Sequence, residues 1–400
     1  MLFMEGPSCS TSSLSGGFCL KMHQFVKMEF PGNRKPSARS GHRSVADDNH
    51  VWLIGGYNSE RNSSNDDDND SYPLFRELWE YNISTNKWKL HKKDENMPHE
   101  LASHSAISNG SCMVIFGGTG VPFGEKTSNQ LSACQLKTGK WNVIECSGVK
   151  PDKIYGQAMV FIGQYLYIYG GTTGYEYNTD LHRLNLKTFV WENLNPANSW
   201  NDMPPERYRH EIAQYDNHIF VIGGGTLSSV YQMDQIHVYS TEKNLWRLVQ
   251  TKPDPKSKLF PNSRRCHSCV QLENKAFICG GYDGRKILED LWQFELDSLQ
   301  WTKLAIMPEP VYFHSAAVTT EGCMIIFGGV SRVSSRLNSN STIRTDSCYR
   351  IWLRIPSLQI MCWLTLVQSR PRIRNMTRIQ LFNMGITPCY LKKLQCAEGA

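Results

Sequence analysis

A glycine doublet closing a short apolar run recurs six times along the chain. The runs are WLIGG ending at Gly56, VIFGG at Gly118, YIYGG at Gly171, FVIGG at Gly224, FICGG at Gly281 and IIFGG at Gly329. Successive doublets lie 62, 53, 53, 57 and 48 residues apart. A period near 50 residues is that of a propeller blade. A histidine in a short strand precedes most doublets: His42, His104, His210, His267 and His314, with Gln157 holding the place in the third unit. A tryptophan follows each doublet: Trp88, Trp141, Trp191, Trp246, Trp301 and Trp352. Between doublet and tryptophan runs a further strand, such as DLHRLNLKT (180–188) or DLWQFELDS (290–298), and then a polar turn. Each unit thus offers four short strands separated by turn residues.

A four-stranded sheet buries neither of its faces alone, so such units must pack side by side around an axis. The doublets belong where blades converge and a Cβ would clash or forbid the needed φ. A tryptophan per unit supplies the area that fills the wedge between splayed blades. The sixth unit has strands at 314–319, 323–328 and 348–355, and HQFVKMEF (23–30) is placed as its outermost strand, so the two ends of the chain zip the ring shut. Two polar insertions, 61–71 and 331–347, break the period and are expected as mobile loops between second and third strands. The expected fold is all-β, a six-bladed propeller over 22–355. A disordered segment at 1–21 precedes it and a small α-helical module at 356–400 follows.

The doublets, the aromatic spacing and Tyr57 or Tyr282 directly after a doublet resemble the kelch family over residues 22–355. Beyond Pro356 the apolar spacing becomes helical: Leu358, Met361, Cys362 and Leu366 fall on one face, and Pro356 with Ser357 provides a helix start. Without any family knowledge this is a helix packed back on the propeller rim. Ser357, Leu358, Cys362 and Leu366 are also similar to the BC box by which substrate receptors dock on elongin C. Pro371 and Ile373 resemble the cullin box that selects cullin 2, with Arg370 standing where that box usually opens with an apolar residue. The next helix (377–385) offers Ile379, Leu381, Phe382 and Met384 as a partner surface. The segments YPLFRELW (72–79), FGGTGVPFGE (116–125), IYGQAM (154–159), RYRHEIA (207–213), RRCHSCVQ (264–271) and MPEPVYFH (307–314) extend the likeness to kelch-repeat substrate receptors of cullin-RING ubiquitin ligases. It spans nearly the whole chain except 1–20 and the two insertions. The resemblance implies elongin B/C, cullin 2 and a RING-box protein as partners, and client proteins bound through glycine-ending C-termini. The alternative is a kelch scaffold for cytoskeletal or signalling proteins that recruits no ligase.

Stacking equivalent positions locates a candidate pocket. Three residues before the histidine column stand Arg39, Leu101, Ile154, Arg207, Arg264 and Val311, and one step closer Ser40, Ala102, Tyr155, Tyr208, Arg265 and Tyr312. After the doublets stand Tyr57, Thr119, Thr172, Gly225, Tyr282 and Val330. Guanidinium groups bind carboxylates bidentately, and tyrosines add area and hydroxyl donors. Arg39, Arg207, Arg209, Arg264 and Arg265, with Tyr57, Tyr155, Tyr208, Tyr282 and Tyr312, are therefore candidates for holding a terminal carboxylate. The bland reading has some of these arginines paired with Glu206, Glu211 or Glu309, tying neighbouring loops together.

Charge and composition narrow the field. Of the net +6, residues 331–400 carry +9 and the first 330 sum to −3, so the body is not a basic nucleic-acid binder. No apolar run has the roughly 18 residues of a membrane helix, and no secretory signal is read at the start. The 13 cysteines show no regular spacing, which reads as reduced thiols in the cytoplasm, the nucleus or both. Cys266 and Cys269 have CxxC spacing, but residues three apart on a strand face opposite ways, and no second pair completes a zinc site. No cofactor is expected. An enzyme, such as a copper oxidase or a hydrolase, would need metal ligands or paired carboxylates that the stacked columns do not hold.

Overall fold

A computed structural model describes residues 21–60, 73–194, 196, 202–333 and 342–394. It is a six-bladed β-propeller with three short helices at its C-terminal end. Blade 1 is typical: Arg43–Ala46, His50–Ile54, Leu78–Asn82 and Lys87–Leu90 form consecutive antiparallel pairs. The second strand of every blade ends in four buried residues, because it is sandwiched between the neighbouring sheets. The first strands line the axis and touch those of adjacent blades. Blade 3 adds a fifth strand, Ser147–Gly148, parallel to Val190–Leu194.

The doublet is threaded between two successive histidines. A Cβ on Gly55 would lie 2.4 Å from the carbonyl oxygen of Leu101 and 3.0 Å from the His104 ring in the next blade. One on Gly56 would lie 3.1 Å from Cβ of His42 in its own blade. Around the ring, Gly117 meets Gln157 in the same way, and Gly328 of blade 6 meets His42 of blade 1. The histidine column and the glycine column are therefore one packing device.

A second device closes the ring through the main chain. The residue before each column position is left-handed in all six blades: Gly41, Ser103, Gly156, Arg209, Cys266 and Phe313, with φ between 54° and 71°. Each donates its N–H to the carbonyl of its counterpart one blade back, at 2.7 to 3.0 Å, and Gly41 donates to Phe313. Six hydrogen bonds thus run head to tail around the axis. The left-handed twist, uncommon outside glycine, is what turns each amide along the ring.

The final blade is shared between the chain's ends: Val26–Lys27 pairs antiparallel with Cys348–Trp352, in the sheet position expected for the N-terminal segment. One expectation, that a tryptophan fills the wedge of every unit, is corrected here. Trp88, Trp141, Trp191, Trp246 and Trp301 stand in fourth strands, but Trp352 stands in a third strand. Continuing the register by one residue sets Phe25 opposite Ile351, as Trp301 faces Phe294, and Phe25 is buried against Tyr349. Phe25 therefore fills the wedge in blade 6. The 331–347 insertion is also not simply a loop, since Val330–Val333 pairs with Thr342–Arg344 as a ribbon. The 61–71 insertion and segment 1–20 lie outside the described residues.

The first tail helix, α1 (Leu358–Ser369), starts after Ser357 and lies on blades 1 and 6. Its Ile360, Trp363, Leu364 and Val367 share a buried cluster with Ile83, Trp88, Cys323 and Trp352. The Trp363 indole donates to Ser84 Oγ at 2.9 Å. A 3₁₀ turn (Pro371–Asn375) leads to α2 (Arg378–Asn383), capped by a reciprocal Thr377–Gln380 box, and then α3 (Pro388–Leu394). Asn49 and Asn82 of blade 1 donate to the Lys393 carbonyl at 2.8 and 3.0 Å and hold α3 in place.

Candidate functional site

A cavity of about 320 Å³ opens on the axis above the six-bonded ring. Four of the expected tyrosines, Tyr57, Tyr155, Tyr208 and Tyr312, line its wall together with Phe123 and Phe313. They interlock edge to face or tilted: Tyr57 on Phe123 at 4.8 Å, Tyr155 on Tyr208 at 5.8 Å, and Tyr312 against Tyr282 at 5.6 Å. Burial pushes the Tyr155, Tyr208 and Tyr312 phenols above their ordinary range, so they act as neutral donors. Tyr282 backs the wall and donates to the Gly284 carbonyl. Arg265 lies beside Tyr282 and donates to the Thr226 carbonyl at the rim.

The arginines divide sharply. Arg39, Arg207 and Arg264 do not line the axial cavity, although they were grouped with the residues that do. Each is buried, and each repeats one pattern. Nε donates to the carbonyl two residues back, and Nη1 donates to the carbonyl of the first doublet glycine, at 3.0 to 3.2 Å. Arg39 is paired with Glu77 at 2.7 Å and Arg264 with both oxygens of Asp290, not with the glutamates first considered. The same column is filled by buried Leu101, Ile154 and Val311 in the other blades. It is a core column, in which an arginine ties the blade's entry loop to its doublet.

Arg209 is the exception. Its side chain, 4% exposed, lies under the cavity floor, donates to Ser103 Oγ and stacks 4.7 Å over Phe313; both partners are wall residues. The absence of a side chain at Gly41 leaves room for it, since a Cβ there would lie 3.3 Å from Nη2. No carboxylate pairs with Arg209 among the described residues, and burial lowers its pKa. Arg43, one step deeper in the channel, is instead neutralised by Glu211 of the opposite blade at 2.7 Å. Among the described residues, the floor thus carries one positive charge that no carboxylate offsets. A second cation, Arg344 of the ribbon, was not foreseen: it lines the cavity, stacks 4.7 Å over Tyr57 and donates to Ser40 Oγ at 3.0 Å. Its only sequence signal was an arginine inside an insertion read as a loop.

In the tail, Leu358 is 71% exposed and Cys362 is exposed, on the side of α1 away from the propeller; Leu366 is half-buried against the later helices. Ile373, expected at a partner surface, is instead buried at 2% with Leu381 and Leu391, because the tail needs a small core of its own. Pro371 is exposed, as are Ile379, Phe382 and Met384. Burial pushes the Cys266 thiol up to about 12. Among the described residues no set of three or more His, Cys, Asp or Glu converges as for a metal, and no helix is long and apolar enough to cross a membrane.

Comparison with known proteins agrees with this architecture. The family model described as the KLHDC2/KLHL20/DRC7 Kelch-repeats domain matches residues 12–224 and 197–359. Kelch domain-containing protein 10 of Rattus norvegicus is 47% identical over 380 residues, covering 94% of this chain and 91% of the relative. Its Homo sapiens counterpart is 48% identical over 365 residues, with 91% and 81% covered. Kelch domain-containing protein 2 of Bos taurus is 26% identical over 325 residues, with 74% and 76% covered. The chain belongs to the kelch-repeat family that includes Kelch domain-containing protein 10.

Proposed function

We propose that this chain is the substrate-recognition subunit of a cullin 2-RING ubiquitin ligase, joined through elongin B/C, and that it acts in the cytoplasm, the nucleus or both. The propeller captures a client by its C-terminus, with glycine as the favoured last residue, and α1 carries the machinery. The receptor performs no bond chemistry; it contributes proximity for a RING-box protein and its conjugating enzyme. The observation that carries the pocket half is Arg209: a buried guanidinium with no carboxylate partner among the described residues, under a cavity lined by neutral tyrosines and the cation Arg344. A ligand carboxylate there would gain a charge-assisted hydrogen bond and supply the missing counter-charge. A terminal glycine lets that carboxylate descend to the floor.

The tail half rests on Leu358 and Cys362, two of the BC-box residues, which face outward while the opposite face of α1 is buried. With Ile373 in the tail's core, Pro371, Ile379, Phe382 and Met384 are the residues left to face the cullin. The rival scaffold reading draws on the same packing, since a purely structural rim helix would also bury Trp363 and Val367.

A binding screen of random peptide C-termini against the purified chain tests the pocket. Free-acid peptides are expected to bind at least about tenfold tighter than their amides. Arg209→Met, which keeps the aliphatic stem, should remove that preference. Leu358→Ser should abolish elongin co-purification and leave peptide binding intact; unchanged co-purification would favour the scaffold.

A further inference from the structure

In blades 1 and 5 the buried arginine of the core column is served by the blade's own carboxylate. Glu77 and Asp290 each bind that arginine and also accept the indole N–H of the tryptophan two residues on, Trp79 at 2.8 Å and Trp292 at 2.6 Å. The carboxylate thus bridges the arginine and the tryptophan. Strand register carries the comparison to blade 4: Trp246 faces Tyr239 as Trp301 faces Phe294, so Gln235 corresponds to Asp290 and His237 to Trp292. Blade 4 keeps the arginine, as Arg207, and lacks both the acid and the tryptophan.

A cleft of about 250 Å³ opens at that place, lined by Arg207, Gln235, His237 and Tyr231. It opens where an imidazole stands in place of the indole and the Gln235 amide in place of the acid, and Asp234 also lines it. Arg207 is 3% exposed and stacks 4.5 Å from Tyr231. Burial lowers its pKa, and the phenols of Tyr169 and Tyr231 act in the opposite sense. Asp234 stands on the cleft wall without an ion pair to Arg207, and Asp202 acts on His237. Among the described residues no carboxylate pairs with Arg207, and a buried guanidinium in that state is an unfavourable arrangement that an arriving anion relieves.

We infer that this cleft is a second binding site, separate from the axial cavity, that takes an aspartate or glutamate side chain of a bound polypeptide in the position filled by Glu77 and Asp290 in blades 1 and 5. The fork of Arg207 supplies the charge and the neighbouring Gln235 amide a further donor. The inference does not depend on how the axial cavity is used.

The test uses the full chain and a capped pentapeptide, amidated at its end, with one central glutamate among glycines and serines. Amidation keeps the peptide from supplying a terminal carboxylate to the axial cavity. A glutamine version and sodium acetate, against chloride at equal ionic strength, are the other arms. The glutamate peptide is expected to bind at least about tenfold tighter than the glutamine peptide. Gln235→Glu, which rebuilds the arrangement of blade 1, should abolish that preference and raise the melting temperature by about 2 °C or more. Arg207→Met should abolish the preference as well. Equal binding of the two peptides, or a glutamate preference that survives Gln235→Glu, overturns the site. Acetate binding as tightly as the glutamate peptide overturns the polypeptide occupant and assigns the cleft to small carboxylates.

Discussion

At Arg264 a guanidinium sits wholly inside the protein, yet its nitrogens meet the Asn262 and Gly280 carbonyls and both oxygens of Asp290. Burial pushes the Asp290 carboxyl up, but the Arg264 charge and its hydrogen bonds, with the Trp292 indole, bring it below the usual range. A carboxyl depressed in the folded state contributes stability above its unfolded pKa and loses it as pH falls through the folded value. Removing that charge at neutral pH by Asp290→Asn is expected to cost about 3 kcal/mol, because Arg264 is left buried and unpaired. The double variant Arg264→Leu with Asp290→Asn should recover most of the loss, as Leu101, Ile154 and Val311 already fill this column. Urea midpoints of the three proteins check both statements. The sequence could place arginines in columns but not say which way each points. Arg39 and Arg264 find their acids 38 and 26 residues away, across a blade, and no local pattern announces the pairing. Arg209 differs only in standing at the left-handed position beside the axis.

At the level of elements, α1 was half legible. The outward spacing of Leu358 and Cys362 and the start at Ser357 follow from composition and helical period. The inward set, Ile360, Trp363, Leu364 and Val367, was hidden because this helix is apolar on both sides, so periodicity alone could not choose the buried face. Its two faces make separable predictions. Trp363→Ala removes a buried indole that bonds Ser84 and should lower stability by about 3–5 kcal/mol, seen as an earlier thermal transition of the whole chain. Leu358→Ser should leave that transition within about 0.5 kcal/mol of the parent, since Leu358 contacts mostly water. An equal loss in both variants would mean that α1 is seated with its other face inward.

Across the whole molecule the repeat was the most legible feature, since six doublets fix six blades; the ring of amides was not, because it joins residues of different identity. The histidines join the blades on the same circle. Burial drives the pKa of His42, His210 and His267 well below 6.5, and that of His104 and His314 to about 3. The unfolded chain takes up protons that the folded one refuses. Stability is therefore full above about pH 6.5 and falls below it, by on the order of 1.4 kcal/mol per pH unit for each of these histidines. Unfolding titrations at pH 7 and pH 5.5 should show a steep loss, and a pH-independent midpoint over that interval would mean the rings are protonated inside. Val26 and Lys27, which complete blade 6, leave the ribosome about 320 residues before Arg350 and Tyr349, the residues they pair with. The earliest piece of the sheet must wait for the latest. A nascent chain halted by a premature stop anywhere before Cys348 would keep an open, sticky flank, so truncated products of this gene should be cleared rather than persist as smaller folded propellers.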